Sequence, residues 1–270
     1  MEQMEALAFA KGHGTGNDFV ILPDPDDRLV LSPKLVAALC DRRFGIGADG
    51  VLRVVRHRQP GAEWFMDYRN ADGSIAETCG NGLRVFARYL VASELVATPQ
   101  VVIATRAGDA VATVSDEAVS VTMTRPRVTG ESTARIGGRE LPGVAVDVGN
   151  PHLVCWLPPD LPLQSVDLAK PPEVDPGDFP DGVNVELITP VDGTIRMRVH
   201  ERGVGETPSC GSGAVAVAAV ALRTEGRSSG VVTVDVPGGR LLVSLTADDC
   251  ALTGPAVLVA EGTIHLSAVR

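Results

Sequence analysis

Two short stretches, "TCGNG" at residues 78–82 and "SCGSG" at residues 209–213, decide how this chain folds. Each places a cysteine before a Gly-polar-Gly triplet, and each runs directly into an apolar stretch typical of a helix. The two cysteines are 131 residues apart in a chain of 270. A near-copy of one pattern half a chain away indicates an internal repeat.

Other matches at nearly the same spacing support the repeat. The pair "GN" at 16–17 recurs at 149–150, and "DGV" at 49–51 recurs at 181–183. These offsets are 133 and 132 residues, and the matches occur in the same order as the cysteines. The sequence therefore predicts a duplicated fold whose halves meet near residues 124–130.

Hydrophobic patterns indicate the elements of each half. Apolar and polar residues alternate over 194–200, as in a half-buried strand. Ser32 followed by Pro33 predicts the capped start of a helix that ends with arginines. Residues 82–93 and 211–224 predict two further helices, of which the second is apolar on every side and must be buried. We expect an α+β fold of two pseudo-symmetric lobes, each a mostly antiparallel sheet curled around a central helix.

The composition excludes several classes of protein. A net charge of −10 argues against a binder of nucleic acid, which needs a basic surface. The start of the chain has no basic segment before an apolar one, and the longest apolar run is the nine residues 214–222, against about 20 for a membrane helix. Five cysteines are an odd, sparse set for a disulfide scaffold. We expect a cytoplasmic protein that binds neither nucleic acid nor membranes.

The five cysteines fall into two groups. Cys40, Cys155 and Cys250 lie in apolar runs without neighbouring glycines, so we expect small buried hydrophobic residues. Cys79 and Cys210 instead precede the first turn of a helix, where free backbone N–H groups and the helix dipole stabilise a thiolate. The glycines that follow them let a ligand approach the backbone.

Cofactor chemistry has little support in the sequence. There is no CxxC or HxxxH pattern for zinc, and only three lysines are available to bind pyridoxal phosphate. The stretch "GIGADG" at 45–50 has the spacing of a dinucleotide fingerprint, but it follows a helix and precedes a strand, which is the reverse of the required order. We expect no cofactor and no metal. A redox disulfide stays open, although redox pairs usually lie closer in sequence.

Two thiols brought to one cleft by a pseudo-twofold axis suit the inversion of a stereocentre. One thiolate removes a proton from a carbon, and the other thiol delivers a proton to the opposite face. The helix N-termini supply N–H donors to a carboxylate whose charge grows as the carbanion forms. This favours a cofactor-independent racemase or epimerase of a small molecule.

The chain resembles the diaminopimelate epimerases along nearly its whole length. Six stretches carry the resemblance: "KGHGTGNDFVILPD", "FGIGADG", "RNADGSIAETCGNG", "GNPHLV", "PDGVNVELI" and "ERGVGETPSCGSGAVAVA". Proline racemases share the two-cysteine logic but do not usually carry "GNDFV", "NADGS" and "ERGxGET" together.

The resemblance implies interconversion of LL- and meso-diaminopimelate, in the biosynthesis of lysine and peptidoglycan precursors, by a homodimer. It implies that Cys79 and Cys210 are the acid/base residues, with His152 and Glu201 as polar neighbours of the reaction centre. The positions it implies for substrate binding are Asn17, Asn70, Gly80, Asn81, Asn150, Asn184, Glu201, Arg202, Gly211 and Ser212.

The resemblance also implies that the last strands return to the first lobe, which suits the stretch at 255–266. We expect a first lobe of 1–124 with 253–270 and a second of 125–252. Many members of the family carry a substrate-contacting glutamine where Gly50 stands, so that position is not taken as a site. Two other functions stay open, namely a racemase of another amino acid such as proline and a non-enzymatic redox-sensing binding protein.

Overall fold

The computed structural model describes residues 6–269. The chain divides into two units, the first formed by the described residues of Met1–Val121 and Pro255–Arg270, and the second by Thr122–Gly254. The lobes expected from the sequence stay a prediction of which segments fold together. Among residues 6–269, no helix has both the length and the apolar composition needed to cross a membrane.

The first unit is a sheet with one long helix. Its elements are β1 (Ala6–Gly14), β2 (Asn17–Pro23), α1 (Pro33–Cys40), β3 (Gly50–Arg56), β4 (Trp64–Asn70), α2 (Gly80–Ala92), β5 (Gln100–Thr105), β6 (Gly108–Val114) and β7 (Val119–Thr122). Neighbouring strands pair in chain order, antiparallel except for the parallel pairs β2–β3 and β4–β5. Helix α2 is buried along most of its length, so it forms the centre of this unit.

The second unit repeats this arrangement. Its elements are β8 (Arg127–Ile136), β9 (Arg139–Asp147), β10 (Pro151–Trp156), a 3₁₀ turn (Leu163–Ser165), β11 (Glu173–Val174), β12 (Asn184–Val191), β13 (Thr194–Glu201), β14 (Gly205–Thr207), α3 (Gly211–Thr224), β15 (Gly230–Val236), β16 (Gly239–Leu245) and β17 (Cys250–Gly254). Again two pairs, β10–β12 and β13–β15, are parallel, and the other pairs are antiparallel.

The duplication extends to the register of the strands. In the first unit Trp64 is opposite Ile103 in a parallel pair, and in the second Ile195 is opposite Val234, each 131 residues later. The fold is therefore α+β with a largely antiparallel sheet and an internal repeat, which confirms the predicted fold class.

A last strand, β18 (Val257–His265), returns to the first unit and is followed by a 3₁₀ turn (Leu266–Ala268). It pairs antiparallel with β1 over the whole of that strand. The two strands approach α2 closely at Gly12, where a Cβ atom would lie 2.7 Å from the carbonyl oxygen of Val257 and 3.0 Å from Val85. A side chain at this position would separate β1 from both neighbours.

Two helix ends differ from the sequence prediction. Helix α1 ends at Cys40, before the arginines that were expected to close it, because the Asp41 side chain accepts hydrogen bonds from the N–H groups of Arg43 and Phe44. Such a side-chain turn competes with the helical hydrogen bonds. Helix α2 begins at Gly80, two residues before the expected start, because Cys79 itself is the N-cap.

An ionic cluster on β4 holds the first unit together. Asp67 is fully buried and accepts hydrogen bonds from Arg53, Arg69 and Arg106 at 3.1, 2.8 and 2.5 Å. Burial opposes ionisation of this carboxyl, but the hydrogen bonds from Arg69 and Arg106 outweigh it and lower the pKa of Asp67 below its ordinary value. The carboxylate therefore joins β3, β4 and the segment after β5 through charge-assisted hydrogen bonds.

Replacing the central carboxylate should destabilise the fold in a pH-dependent way. Asp67→Asn leaves three guanidinium groups without their buried anion and should lower the free energy of unfolding by on the order of 3 kcal/mol at pH 7. Because the pKa of Asp67 is lowered in the folded protein, its contribution is present above the unfolded value of about 3.9 and is lost as the pH falls below it.

Urea denaturation of both proteins at neutral pH and near pH 3.5 measures this difference. Asp27→Asn is the matched control, because Asp27 also contacts Arg53 but its side chain is 54% exposed, and it should change stability by less than about 1 kcal/mol. An equal gap between Asp67→Asn and wild type at both pH values contradicts the assignment.

Candidate active site

The two cysteines of interest occupy equivalent positions in the two units. Cys79 is the N-cap of α2, with extended backbone angles, and its Sγ accepts the N–H of Gly82 at 3.4 Å. Cys210 is the N-cap of α3, and its Sγ accepts the N–H of Gly213 at 3.4 Å. Sulfur thus stands where a serine or aspartate oxygen usually accepts the first free N–H groups. This contact and the helix dipole stabilise a thiolate at both positions.

In the first unit, Cys79 lies beside a pair of asparagine side chains. The Cys79 thiol donates to Asn17 Oδ1 at 3.7 Å, and Asn81 Nδ2 donates to the same oxygen at 3.3 Å. Asn17 Nδ2 in turn donates to Asp49 Oδ2 at 2.9 Å, which fixes the orientation of the Asn17 amide. The Asn17 oxygen therefore faces the sulfur and its nitrogen faces away.

A buried arginine lies behind this group. Arg84, on the second turn of α2, is fully buried and donates to the Gly80 carbonyl, Asn81 Oδ1 and Thr15 Oγ1 at 3.3, 3.0 and 3.2 Å. Burial lowers the pKa of Arg84 to about 10, and the charge of Cys79 acts in the opposite direction. Arg84 is therefore a cation at neutral pH and couples the β1–β2 turn to the start of α2.

In the second unit, the start of α3 packs against a buried carboxyl group. Glu186 and His152 are both fully buried, with His152 Nδ1 2.7 Å from Glu186 Oε1. The other ring nitrogen of His152 is 3.0 Å from Asn150 Oδ1. Since β10 and β12 run parallel, they present the three side chains together beneath the helix N-terminus. Glu186 Oε2 is buried and has no hydrogen-bond partner among the described residues.

This environment opposes ionisation of Cys210. Burial, followed by the nearby Glu201 and Glu186 carboxyl groups, raises the pKa of the Cys210 thiol well above its ordinary value. Ser212 Oγ, at 3.5 Å from the sulfur, and the N–H of Gly213 act in the opposite direction. Burial also raises the pKa of Glu186, against the effect of His152.

The remaining predicted residues are placed less centrally. Asn70 closes a turn at the end of β4, where its Nδ2 donates to Ser74 Oγ at 2.9 Å. Asn184 Oδ1 accepts the backbone N–H of Arg202 at 2.8 Å, and the exposed Arg202 guanidinium donates to a main-chain carbonyl at 2.9 Å. Glu201, at the end of β13, accepts a hydrogen bond from the Thr207 hydroxyl. Gly211 is the first residue of α3.

Comparisons with known proteins agree with this geometry. The sequence pattern of the family described as diaminopimelate epimerase matches residues 9–129 and 144–259. The chain is 52% identical to the diaminopimelate epimerase of Rhodococcus jostii and 50% identical to that of Mycolicibacterium smegmatis, covering 96% of this chain and 97% of each relative. The chain belongs to the diaminopimelate epimerase family.

The protein is accordingly an isomerase. Solved structures outside the family show that its fold is shared more widely. A phenazine biosynthesis protein of the PhzF family from Bacillus anthracis superposes with a TM-score of 0.77 at 18% identity, covering 97% of this chain and 99% of that one. A hydroxyproline epimerase from Agrobacterium vitis, with bound trans-4-hydroxy-L-proline, has a TM-score of 0.68 at 17% identity, covering 98% and 94%.

The position at which many diaminopimelate epimerases carry glutamine has no room for a side chain here. A Cβ atom at Gly50 would lie 2.6 Å from the carbonyl oxygen of Arg69 and 2.8 Å from Cε2 of Tyr68. The buried ring of Tyr68, packed edge-on against Phe19, occupies that space. The glycine is therefore matched to its neighbours.

The other three cysteines of this epimerase are buried, as predicted. Burial raises the pKa of Cys40 to about 12, of Cys155 to about 12 and of Cys250 to about 11, so these thiols stay protonated. No cluster of three or more metal-binding side chains occurs within residues 6–269.

The sequence analysis missed two charged residues at this site, Glu186 and Arg84. Glu186 lies inside the apolar "GVNVELI" stretch, and Arg84 was read only as a polar position of a helix. The repeat itself contained a signal for Glu186, because aligning the two "DGV" stretches places it opposite Leu52. A charged residue in one copy and an apolar one in the other marks a position where the halves have diverged.

A pair of matched substitutions tests how tightly Glu186 packs on α3. A Cβ at Gly213 would lie 2.6 Å from Glu186 Oε1, whereas a Cβ at the equivalent Gly82 would lie 3.3 Å from the mobile end of Leu52. Gly213→Ala should lower the free energy of unfolding by about 1–3 kcal/mol through overpacking. Gly82→Ala should stay close to wild type, because the gain in helix propensity of about 1 kcal/mol offsets a small displacement.

Thermal and urea denaturation of the two variants provide the comparison. Equal changes in both would mean that the Glu186 carboxyl moves away freely and does not restrain the start of the helix.

Proposed function

We propose that this protein converts LL-2,6-diaminopimelate to meso-2,6-diaminopimelate without pyridoxal phosphate, with Cys79 and Cys210 as the acid/base pair. The observation that carries the proposal is the equivalent placement of the two sulfurs, each the N-cap of a buried helix within a diaminopimelate epimerase fold. Each sulfur receives one N–H group three residues along, so each is prepared to hold a negative charge.

The reaction requires two proton transfers at one carbon. A thiolate accepts the α-proton, the C–H bond breaks, and its electron pair remains on the carbon and the adjacent carboxylate. The second thiol then gives its proton to the opposite face of the carbon, which inverts the configuration and leaves that sulfur as a thiolate. The free N–H groups of the first helical turns are suited to bind the carboxylate as its charge grows.

The proposed substrate has an ammonium and a carboxylate at each end, which explains the polar character of the implied binding residues. Asn17, Asn81 and Asn150 already have one side of each amide fixed by protein contacts, so the other side presents a defined donor or acceptor. Arg202 uses one guanidinium nitrogen on Asp181, and its fork has further donors for a carboxylate. Unpaired charge on a buried ligand would be unfavourable, so a site of this kind needs such groups.

The finer predictions from the sequence belong to this proposal. We infer that the protein acts in the cytoplasm, in the biosynthesis of lysine and peptidoglycan precursors, and that it functions as a homodimer. Its relatives' names support the substrate, and the fold shared with a hydroxyproline epimerase supports only the architecture.

Proton exchange in deuterated water separates this proposal from its rivals. LL-diaminopimelate incubated with the protein should lose its α-proton to solvent deuterium and yield the meso isomer. Turnover of proline without exchange on diaminopimelate would instead assign the protein as a racemase of another amino acid. No exchange on either compound would favour a binding protein.

Both cysteines should be required for turnover. Cys79→Ala and Cys210→Ala should each lower kcat for epimerisation by at least about 10³-fold, since each removes a proton donor and acceptor that contributes to every complete turnover. Circular dichroism controls for folding, and Cys155→Ala controls for the loss of a buried thiol outside the site. Near-normal turnover by either variant would rule out the two-base mechanism.

The two cysteines should also serve opposite stereoisomers. A serine hydroxyl is far less acidic than a thiol of pKa about 8.5, so a Cys→Ser variant loses a base at that position. Elimination from a β-halogenated analogue needs only proton removal, so Cys79→Ser and Cys210→Ser should fail on opposite isomers. Halide release from each isomer with each variant is the measurement, and the same preference in both variants would show that one residue serves both faces.

A further inference from the structure

The internal repeat allows the surroundings of the two cysteines to be compared position by position. In β2–β3 Ile21 is opposite Leu52, and in β10–β12 Val154 is opposite Glu186, each two positions further along its pair from Gly50 and Asn184. Leu52 and Glu186 are therefore equivalent.

Contacts with the helices confirm the equivalence. Leu52 is the nearest neighbour of Gly82 in α2, and Glu186 is the nearest neighbour of Gly213 in α3. Both glycines donate their N–H to the capping sulfur. The residue that packs under each N–H···S contact is thus apolar in the first unit and a carboxyl group in the second.

A second pair of equivalent positions differs in charge as well. Arg84 stands five residues after Cys79, and Val215 stands five residues after Cys210. Both are fully buried, but only Arg84 carries a charge. The first unit therefore has a buried cation behind its cysteine, and the second has a buried acid.

We propose that these buried groups of opposite sign set the resting protonation of the two cysteines, so that the free enzyme holds Cys79 as the thiolate and Cys210 as the thiol. Arg84 and Glu186 are positioning residues in this scheme, since each acts through a cysteine. The proposal rests on the two-cysteine function proposed above and specifies which sulfur begins the reaction.

Other charged groups near each sulfur do not reverse this order. Cys79 faces Asn17, behind which Asp49 lies 2.7 Å from the guanidinium of Arg42, so that its charge is largely compensated. Cys210 faces Glu201 as well as Glu186, and His152 contacts only the second of these two carboxyl groups through a hydrogen bond. The charge of Cys79 also acts on Arg84, and the same interaction favours the thiolate of Cys79.

The assignment has a consequence for the catalytic cycle. An isomer whose α-proton faces Cys79 meets a ready base, and turnover transfers the charge to Cys210, where the nearby acids oppose it. The product enzyme must then return a proton from solvent to Cys210 and lose one from Cys79. The resting state is thereby restored in the direction that the buried charges favour.

Site-resolved alkylation of the free protein tests the proposal. Iodoacetamide reacts with the thiolate, so the rate at each cysteine is followed by peptide mass spectrometry between about pH 6 and 10. Each curve is scaled to its own plateau, which removes the difference between the half-buried Cys79 and the buried Cys210. We expect the midpoint for Cys79 to lie at least about one pH unit below that for Cys210.

Substitutions at the positioning residues give the sharper comparison. Glu186→Gln and Glu186→Leu should lower the Cys210 midpoint and leave Cys79 unchanged, so each protein contains its own reference thiol. Arg84→Met should raise the Cys79 midpoint, and Arg84→Lys, which keeps the charge, should restore it. If Arg84→Met does not fold, the two Glu186 variants and Arg84→Lys carry the test.

Three results would overturn the proposal: equal midpoints in the wild type, a reversed order, or no shift of Cys210 in either Glu186 variant. The two unaffected thiols Cys40 and Cys155 should stay unlabelled in every folded protein, which controls for partial unfolding. Because no substrate is present, failure here leaves the proposed epimerisation intact, and failure of the deuterium exchange experiment leaves the protonation order intact.

Discussion

The structure depends on one contact that occurs twice, the hydrogen bond from a helical N–H to a capping cysteine sulfur. It requires the cysteine to leave the helix in extended conformation while the chain three residues on is already helical. It also requires the third residue to be small, because a strand side chain packs directly under it. The Gly-polar-Gly pattern, the buried helix and the sheet around it all follow from keeping a reactive sulfur at a helix start that is closed to bulky neighbours.

Much of this could be predicted from the sequence because the repeat is written in residues that serve the backbone. Glycines and cysteines mark the helix starts, and alternation over 194–200 marks β13. The end of α1 could not be predicted, because Asp41 decides between helix and turn by a local hydrogen bond. The Asp67 cluster was missed as well, since Arg106 reaches it from a segment 39 residues away, and only the folded sheet brings the two together.

The charges at the candidate site were the least predictable part. A carboxyl group in the middle of "VNVELI" looks like the exposed face of a strand, yet Glu186 is fully buried. Its place under α3 depends on the parallel register of β10 and β12, which sets His152 beside it. The fold thus conserves its symmetry in the backbone and breaks it in the buried ionisable side chains. Duplication provided two equivalent positions, and divergence at Leu52 and Val215 against Glu186 and Arg84 made them chemically different.

The return of β18 to pair with β1 orders events during synthesis. The second unit is continuous in sequence, so all its strands can assemble while the ribosome is still adding later residues. The first unit waits, because β1 lacks one of its two neighbours until Val257–His265 has emerged. Until then the edge of β1 is open to pairing with other nascent chains, and its contact with α2 at Gly12 is incomplete. A protein with this connectivity completes its first-made half last.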